Sequence, residues 1–220
     1  MRSGSRATSR CSAVPPGMPE TPLSRITSLD ALKAATMACR ECPIGEFATQ
    51  SVIGEGKLKA RLMLVGEQPG DQEDLAGHPF IGPAGKLLAR ALAAAGIPQE
   101  QTYVSNAVKH FKYELRGKRR IHKSPSQREI SACQHWLEDE IALVKPAALV
   151  ALGASAARSL IGRAVPVMVN RGQWLPRPDG REVLVTLHPS ALLRVDAEDR
   201  EPAFEAFVAD LRQAQRLFAR

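Results

Sequence analysis

Aromatic side chains make up only 5% of this 220-residue chain, so its core has to be built from the Leu, Val, Ile and Ala of a 44% hydrophobic fraction. Cores of that kind belong to parallel sheets covered on both faces by helices. No apolar run approaches the ~20 residues of a membrane helix, and no membrane partner is expected. Cysteine is sparse as well. Four in a chain of this length do not make a secreted disulfide framework, and the C-x-x-C spacing of Cys39 and Cys42 points to metal, cluster or redox chemistry. Acids are nearly missing from the first 25 residues, where Arg2, Arg6, Arg10 and Arg25 face Glu20 alone. That stretch lacks the apolar core of a secretory signal. Its Arg and Ser content faintly resembles a transit peptide, but Pro15, Pro16, Pro19 and Pro22 favour a disordered basic tail over residues 1–27. One domain is then expected over residues 28–220.

Across the chain, 30 basic residues against 23 acidic give a formal charge of +7, which favours a polyanionic partner. The excess carries weight only where it clusters, and it clusters between Lys109 and Ser124. That segment has no apolar periodicity and reads as a loop. Around it, strands are predicted over residues 61–65, 102–108, 147–152 and 183–187. Helices alternate with them: one capped by Ser28 that delivers Cys39 and Cys42, one opened by Pro83 and stopped by Gly96, and one opened by the Ser126/Glu129 capping box. A short helix over 155–161 and a closing helix over 201–218 complete the pattern. The fold class expected is a three-layer α/β/α domain with a central, mainly parallel four-stranded sheet, its sites at the carboxyl ends of the strands.

Two segments at such ends carry the most information. The first runs Gly66-Glu67-Gln68-Pro69-Gly70-Asp71-Gln72-Glu73-Asp74 and continues through Gly77-His78-Pro79-Phe80-Ile81-Gly82-Pro83-Ala84-Gly85. It is no phosphate cradle, because the Lys-Ser/Thr ending is missing and its acids would repel phosphate. The second is His188-Pro189-Ser190-Ala191-Leu192-Leu193-Arg194. Together with Asn106 in Val104-Ser105-Asn106-Ala107-Val108-Lys109, they resemble, in order and spacing, the motifs of the iron–sulfur uracil-DNA glycosylases, family four of that superfamily. The likeness spans roughly residues 38–194. Within the family, Gly117-Lys118-Arg119-Arg120-Ile121-His122 and Gln68 resemble the UdgX-type subgroup, known for bonding covalently to the abasic sugar after uracil leaves.

The resemblance implies a bacterial-type, cytoplasmic, nucleoid-associated DNA-repair protein, expected as a monomer, that acts on uracil-containing DNA. It implies a uracil pocket of Gly66, Gln68, Phe80, Asn106 and His188. A base must leave the stack to be reached; Phe80 would stack on it and the Asn106 amide would read its edge in a pattern that cytosine reverses. His188 would donate to uracil O2 as negative charge develops, and Glu67 would steady the sugar cation or manage a proton, with Gln68 offering backbone and amide groups. His122 would be the nucleophile, its protonated form disfavoured by Lys118, Arg119 and Arg120, which would also hold phosphates. Leu192 and Leu193 would wedge into the gap left by the flipped base, with Arg194 on a phosphate.

For the metal, C-x-x-C by itself is more often zinc. The resemblance implies a [4Fe-4S] cluster on Cys39, Cys42, His110 and Cys133, with His110 standing where the family pattern has a fourth cysteine. Two rival functions stay open at this point: a conventional turnover glycosylase in which water takes the sugar, and a non-catalytic module that binds uracil-containing or single-stranded DNA. Without the resemblance, Phe80 reads as core, Asn106 and His188 as strand-end residues, and His122 as one more polar residue of a basic loop.

Overall fold

A computed structural model describes residues 26–218. The basic tail expected over residues 1–27 therefore lies almost wholly outside the described residues. Among the described residues eight strands form: β1 (Glu55–Gly56), β2 (Leu62–Gly66), β3 (Thr102–Asn106), β4 (Tyr113–Arg116), β5 (Arg119–His122), β6 (Ala148–Leu152), β7 (Trp174–Pro176) and β8 (Glu182–Thr186). The helices are α1 (Leu29–Ala38), α2 (Ile44–Phe47), α3 (Asp71–Ala76), α4 (Pro83–Ala94), α5 (Gln127–Val144), α6 (Ala154–Ile161), α7 (Val167–Asn170), α8 (Pro189–Leu192) and α9 (Arg200–Arg212).

The main sheet has six strands in the order β1-β3-β2-β6-β8-β7. Its inner four, β3, β2, β6 and β8, run parallel and are the four strands expected from the sequence. The short edge strands β1 and β7 pair antiparallel on the outside. Sequence reading missed both because two or three residues carry no periodicity.

Burial explains the composition. Every residue of β2 and β6 is buried, so neither strand alternates in polarity. Met63, Val65, Leu149, Ala151, Val183 and Val185 pack on one face against Leu137 and Ile141 of α5 and Ala157 and Leu160 of α6. Leu62, Leu64, Val150 and Leu184 pack on the other against Leu88 and Leu92 of α4 and Phe207 and Leu211 of α9. This is the three-layer arrangement. A smaller cluster joins α1 to α5 through Leu32, Ile130, Cys133 and Trp136.

Local chemistry starts these helices. The Ser28 hydroxyl accepts from Ala31 N–H to cap α1, and Ser126 with Glu129 forms the capping box of α5. Pro83 sits in the first turn of α4, where its missing N–H costs nothing.

The basic segment after β3 is not a loop. Residues 113–122 fold into an antiparallel hairpin of β4 and β5, registered Tyr113↔His122 through Arg116↔Arg119. A two-residue connection turns the chain, with Gly117 at φ 60° in its first position, as a type II′ turn requires. The hairpin stands outside the main sheet and delivers His122 from its last strand.

β2 leads to β3 on one side, whereas β6 lies on its other side, so the connections from β2 and from β6 diverge. In open sheets a crevice forms outside the carboxyl ends at such a point. Gly66 ends β2, Asn106 ends β3, Gly153 follows β6 and His188 follows β8, which gathers the motif residues at one rim.

Candidate active site

A cavity of about 510 Å3 opens at this rim, lined by Gln68, Phe80, Asn106, His122, His188 and Arg194 among others. Its volume lies within the range of small-molecule sites. Gly66 lies against three of its residues: a Cβ there would come 2.4 Å from Asn106 Oδ1, 2.7 Å from Phe80 Cζ and 3.4 Å from His188 Nε2. Three side chains from three segments converge on a position that only glycine leaves open.

Asn106 is 3% exposed, and its Oδ1 has no hydrogen-bond partner among the described residues. A buried acceptor left without a donor costs free energy, and in a native site it marks a place where something else binds. Phe80 is held at φ 56°, a left-handed conformation that costs a bulky residue about 1–3 kcal/mol. Gly85 allows it, since a Cβ at Gly85 would fall 1.6 Å from the Phe80 carbonyl oxygen. The strain sets the ring beside the Asn106 amide, with its centroid 6.3 Å from that of the His188 imidazole.

His188 has a defined tautomer. Its Nδ1 accepts the Ser190 backbone N–H at 3.2 Å and lies 2.8 Å from the Ser190 hydroxyl. The ring proton is therefore on Nε2, the nitrogen that faces Gly66. Burial holds the imidazole neutral, its pKa lowered to about 4, with Glu67 acting the other way and His122 and Arg194 adding to the effect of burial. His188 is thus a neutral donor aimed into the cavity.

Glu67 follows β2. The Ser155 hydroxyl of α6 donates to its Oε2 at 2.6 Å, and its Oε1 lies 3.7 Å from His122 Nε2. Burial holds the His122 pKa below the ordinary histidine value, opposed by Glu67 and assisted by Arg194. The sequence pointed to Lys118, Arg119 and Arg120 for that effect. Lys118 and Arg119 instead stand exposed toward the hairpin tip, too remote to act on the ring.

Arg120, expected on a phosphate, is held by carboxylates and rings in the free protein. Its guanidinium pairs with Asp71 at 2.6 Å and with Asp74 at 2.6 Å, and lies over the rings of Phe111 and Tyr113. Asp74 is fully buried and also accepts from Thr49 N–H. With both carboxylates on it, Arg120 braces the hairpin and is not presented to a phosphate. Gln68 is likewise held by neighbouring groups. Its amide donates to the Lys112 and Lys123 carbonyls and accepts from Lys112 N–H, so it clasps both ends of the hairpin and only its backbone is left for a base. Leu192 is buried among α4 and α9 side chains and cannot wedge, whereas Leu193 is 44% exposed beside Arg194. Asp71 and Asp74 of the first motif thus anchor, through Arg120, the hairpin that carries His122. Ser155 and Ser190 were missed because each acts through a neighbour's side chain.

Behind Asn106, Lys109 is wholly buried with Glu140. The ammonium donates to Glu140 Oε2 at 2.7 Å, to the Asn106 carbonyl at 2.7 Å and to Ser105 Oγ at 3.0 Å. Glu140 also accepts from Gly54 N–H, the Tyr103 hydroxyl and the Ser105 hydroxyl. This network joins α5 to the end of β3.

Cys39, Cys42, His110 and Cys133 line one small cavity between α1, α5 and the segment after β3. The Lys109 backbone N–H points at Cys133 Sγ at 3.3 Å, and Trp136 Nε1–H at Cys39 Sγ at 3.4 Å, the kind of outer bond that orients sulfur ligands. Gly45 keeps the cavity open, since a Cβ there would come within 2.6 Å of the Cys39 carbonyl oxygen and 3.6 Å of His110 Cε1. Burial pushes the Cys133 thiol up to about 12 and holds His110 neutral, so ligation here would release thiol protons. Among the described residues, no three Cys, His, Asp or Glu side chains converge as they would on a single metal ion. Three cysteines and a histidine are a donor set that both an iron–sulfur cluster and zinc accept.

The rim of the doubly wound sheet thus holds one cavity with an unpaired buried amide acceptor and a neutral histidine donor. The chain belongs to the uracil DNA glycosylase superfamily, whose family model matches residues 53–212. Over 157 residues it is 38% identical to a type-4 uracil-DNA glycosylase of Thermotoga maritima, covering 71% of this chain and 78% of the relative. It is 33% identical to a type-4 uracil-DNA glycosylase of Pyrobaculum aerophilum, covering 72% and 81%. A type-5 uracil-DNA glycosylase of Thermus thermophilus is 27% identical, with 82% and 94% covered. Among the described residues no helix is long and apolar enough to cross a membrane.

Proposed function

We propose that this protein repairs DNA by excising uracil and then holds the abasic sugar covalently through His122. The observation that carries the first half is the orphaned Asn106 Oδ1, buried in the cavity beside Phe80 and His188. Uracil fills it chemically: N3–H donates to Oδ1 while the amide N–H donates to a carbonyl, and cytosine offers an acceptor at N3 instead. Phe80 stacks on the extruded ring.

As the C1′–N1 bond breaks, its electron pair leaves on the base. His188 Nε2–H donates to uracil O2 and stabilises that charge, and the Glu67 carboxylate faces the sugar cation. The His122 imidazole, held neutral, then gives a lone pair to C1′ and forms the N–C1′ bond. The alkylated ring gives up its N–H proton and the uracil anion takes one, so the proton count balances. Lys118, Arg119 and Arg194 are assigned to phosphates and Leu193 to the gap in the stack. Cys39, Cys42, His110 and Cys133 are assigned as ligands of a [4Fe-4S] cluster, which when bound would supply a staple between α1, α5 and the segment carrying Asn106. Support for capture by His122 lies in its neutral state, its place on the cavity wall and the double brace of Gln68 and Arg120 on its hairpin.

The test mixes protein with a uracil-containing oligonucleotide and reads a denaturing gel. The parent should give a heat- and detergent-resistant band and stop near one event per molecule. His122→Ala should lose the band and release uracil in excess over protein. Free abasic DNA from the parent without the band would overturn capture and leave excision standing; unchanged DNA would overturn both.

A further inference from the structure

β6 ends where the chain passes close to His188: a Cβ on Gly153 would lie 3.1 Å from the His188 Cβ, and Gly153 adopts φ 91°. That turn starts α6 against the active-site wall and puts Ser155 in its first turn. A second cavity lies here, lined by Glu67, His122, Ser124, Ser155 and Arg194 among others. The Ser155 hydroxyl spends its proton on Glu67 Oε2 at 2.6 Å. Glu67 Oε1 is left as the oxygen facing His122 Nε2 across 3.7 Å.

We propose that Ser155 is a positioning residue for covalent capture, holding the Glu67 carboxylate so that its Oε1 faces His122; this rests on the reading of His122 as the nucleophile. The geometry argues for it in three ways. A carboxylate on a β-strand end has free rotation about its last bonds, and a short hydrogen bond from a rigid helix removes that freedom. The first turn of α6 also presents the positive end of the helix dipole to the same carboxylate. Finally, the gap between Glu67 and His122 is longer than a hydrogen bond, so neither residue fixes the other in the free protein. What fixes Glu67 is Ser155.

The consequence separates two steps. Uracil departure depends on Asn106, His188 and the charge of Glu67, which stays in the cavity with or without the serine. Capture needs that charge beside the imidazole while the N–C1′ bond forms and the ring sheds its proton. The Glu67 carboxylate favours the protonated imidazole, against the effect of burial. With Glu67 released, the imidazole should therefore protonate at lower pH.

The experiment compares parent, Ser155→Ala and Ser155→Thr on a uracil-containing oligonucleotide in single turnover from pH 5 to 8. It measures uracil release and appearance of the denaturation-resistant band separately. Ser155→Ala should capture about tenfold more slowly, the effect expected for one lost hydrogen bond to a charged group, while releasing uracil within about threefold of the parent. Its capture midpoint should move to lower pH, and free abasic DNA should accumulate. Ser155→Thr, which keeps the hydroxyl, should restore both. Capture by Ser155→Ala at the parent rate and with the parent pH profile overturns the proposal. So does an equal loss of release and capture that threonine does not rescue, which would mark a structural role. If the parent itself forms no band, the reading of His122 fails in that lane and the role of Ser155 falls with it.

Discussion

Replacing Lys109 by Met should destabilise the protein by about 3–4 kcal/mol and loosen the site with it. Lys109 and Glu140 are both 0% exposed, and the ammonium has three acceptors: Glu140, Ser105 and the Asn106 carbonyl. Methionine matches the length of the chain but carries no charge, so the variant strands a buried carboxylate. Removing one partner of a buried pair typically costs 3–5 kcal/mol. Here Glu140 keeps three other donors, Gly54 N–H, the Tyr103 hydroxyl and the Ser105 hydroxyl, which places this part near the lower end. The Asn106 carbonyl loses a charged donor, adding roughly 1 kcal/mol. In a domain of this size each kcal/mol shifts Tm by ~2–4 °C, so a fall of about 6–16 °C is expected. Urea unfolding of the parent, Lys109→Met, Glu140→Gln and the double variant measures the coupling directly. The double variant should be more stable than the sum of the single losses implies, by about 2 kcal/mol, because it removes the stranded charge. A Lys109→Met loss below 1 kcal/mol, or strict additivity, would refute the view that this pair supports the end of β3.

The two leucines of the second motif should part company. Leu192→Ala should cost about 2–5 kcal/mol of stability as a core deletion, whereas Leu193→Ala should leave Tm unchanged and lower activity on duplex more than on single strands; the same thermal loss from both would undo the assignment. Stability should depend on pH through His188. The unfolded chain takes up its proton near pH 6.5 but the folded ring only near pH 4, so this contribution is full above 6.5 and declines as pH falls to about 4, by up to ~3 kcal/mol. Parallel pH–stability curves for parent and His188→Gln would show that the ring is not held neutral. Purified under nitrogen, the protein should carry about four irons with matching sulfide per chain, and Cys133→Ser should lower iron content and Tm together; stoichiometric zinc with no iron would reassign the four ligands.

Much of this molecule was legible from local pattern. Buried strands read as continuous apolar runs, Ser28 and Ser126 announce their helices, and Pro83 and Gly96 bracket a third, because these signals act within a few residues of where they occur. The three layers, the four parallel strands and the strand-end placement of Gly66, Asn106 and His188 follow from that alone. The hairpin at residues 113–122 carried one local sign, Gly117-Lys118 at its turn, but its strands are stabilised from outside. Arg120 and Gln68 read as contacts for DNA and base because their chemistry suits either. What turned them inward was two carboxylates and two carbonyls, from α3 and from the ends of the hairpin itself. Leu192 and Leu193 are the same residue type side by side; only their positions at the end of α8 and just past it, one packed toward α4 and one toward solvent, assigned one to the core and one to the surface. Lys109 was counted with a basic loop, yet it is buried because Glu140, 31 residues further on, is brought over it by α5. Sequence determines what each side chain can donate, accept or fill, whereas its partner is chosen by chain segments that meet only after the sheet has closed, as at Arg120, Gln68, Ser155 and Lys109.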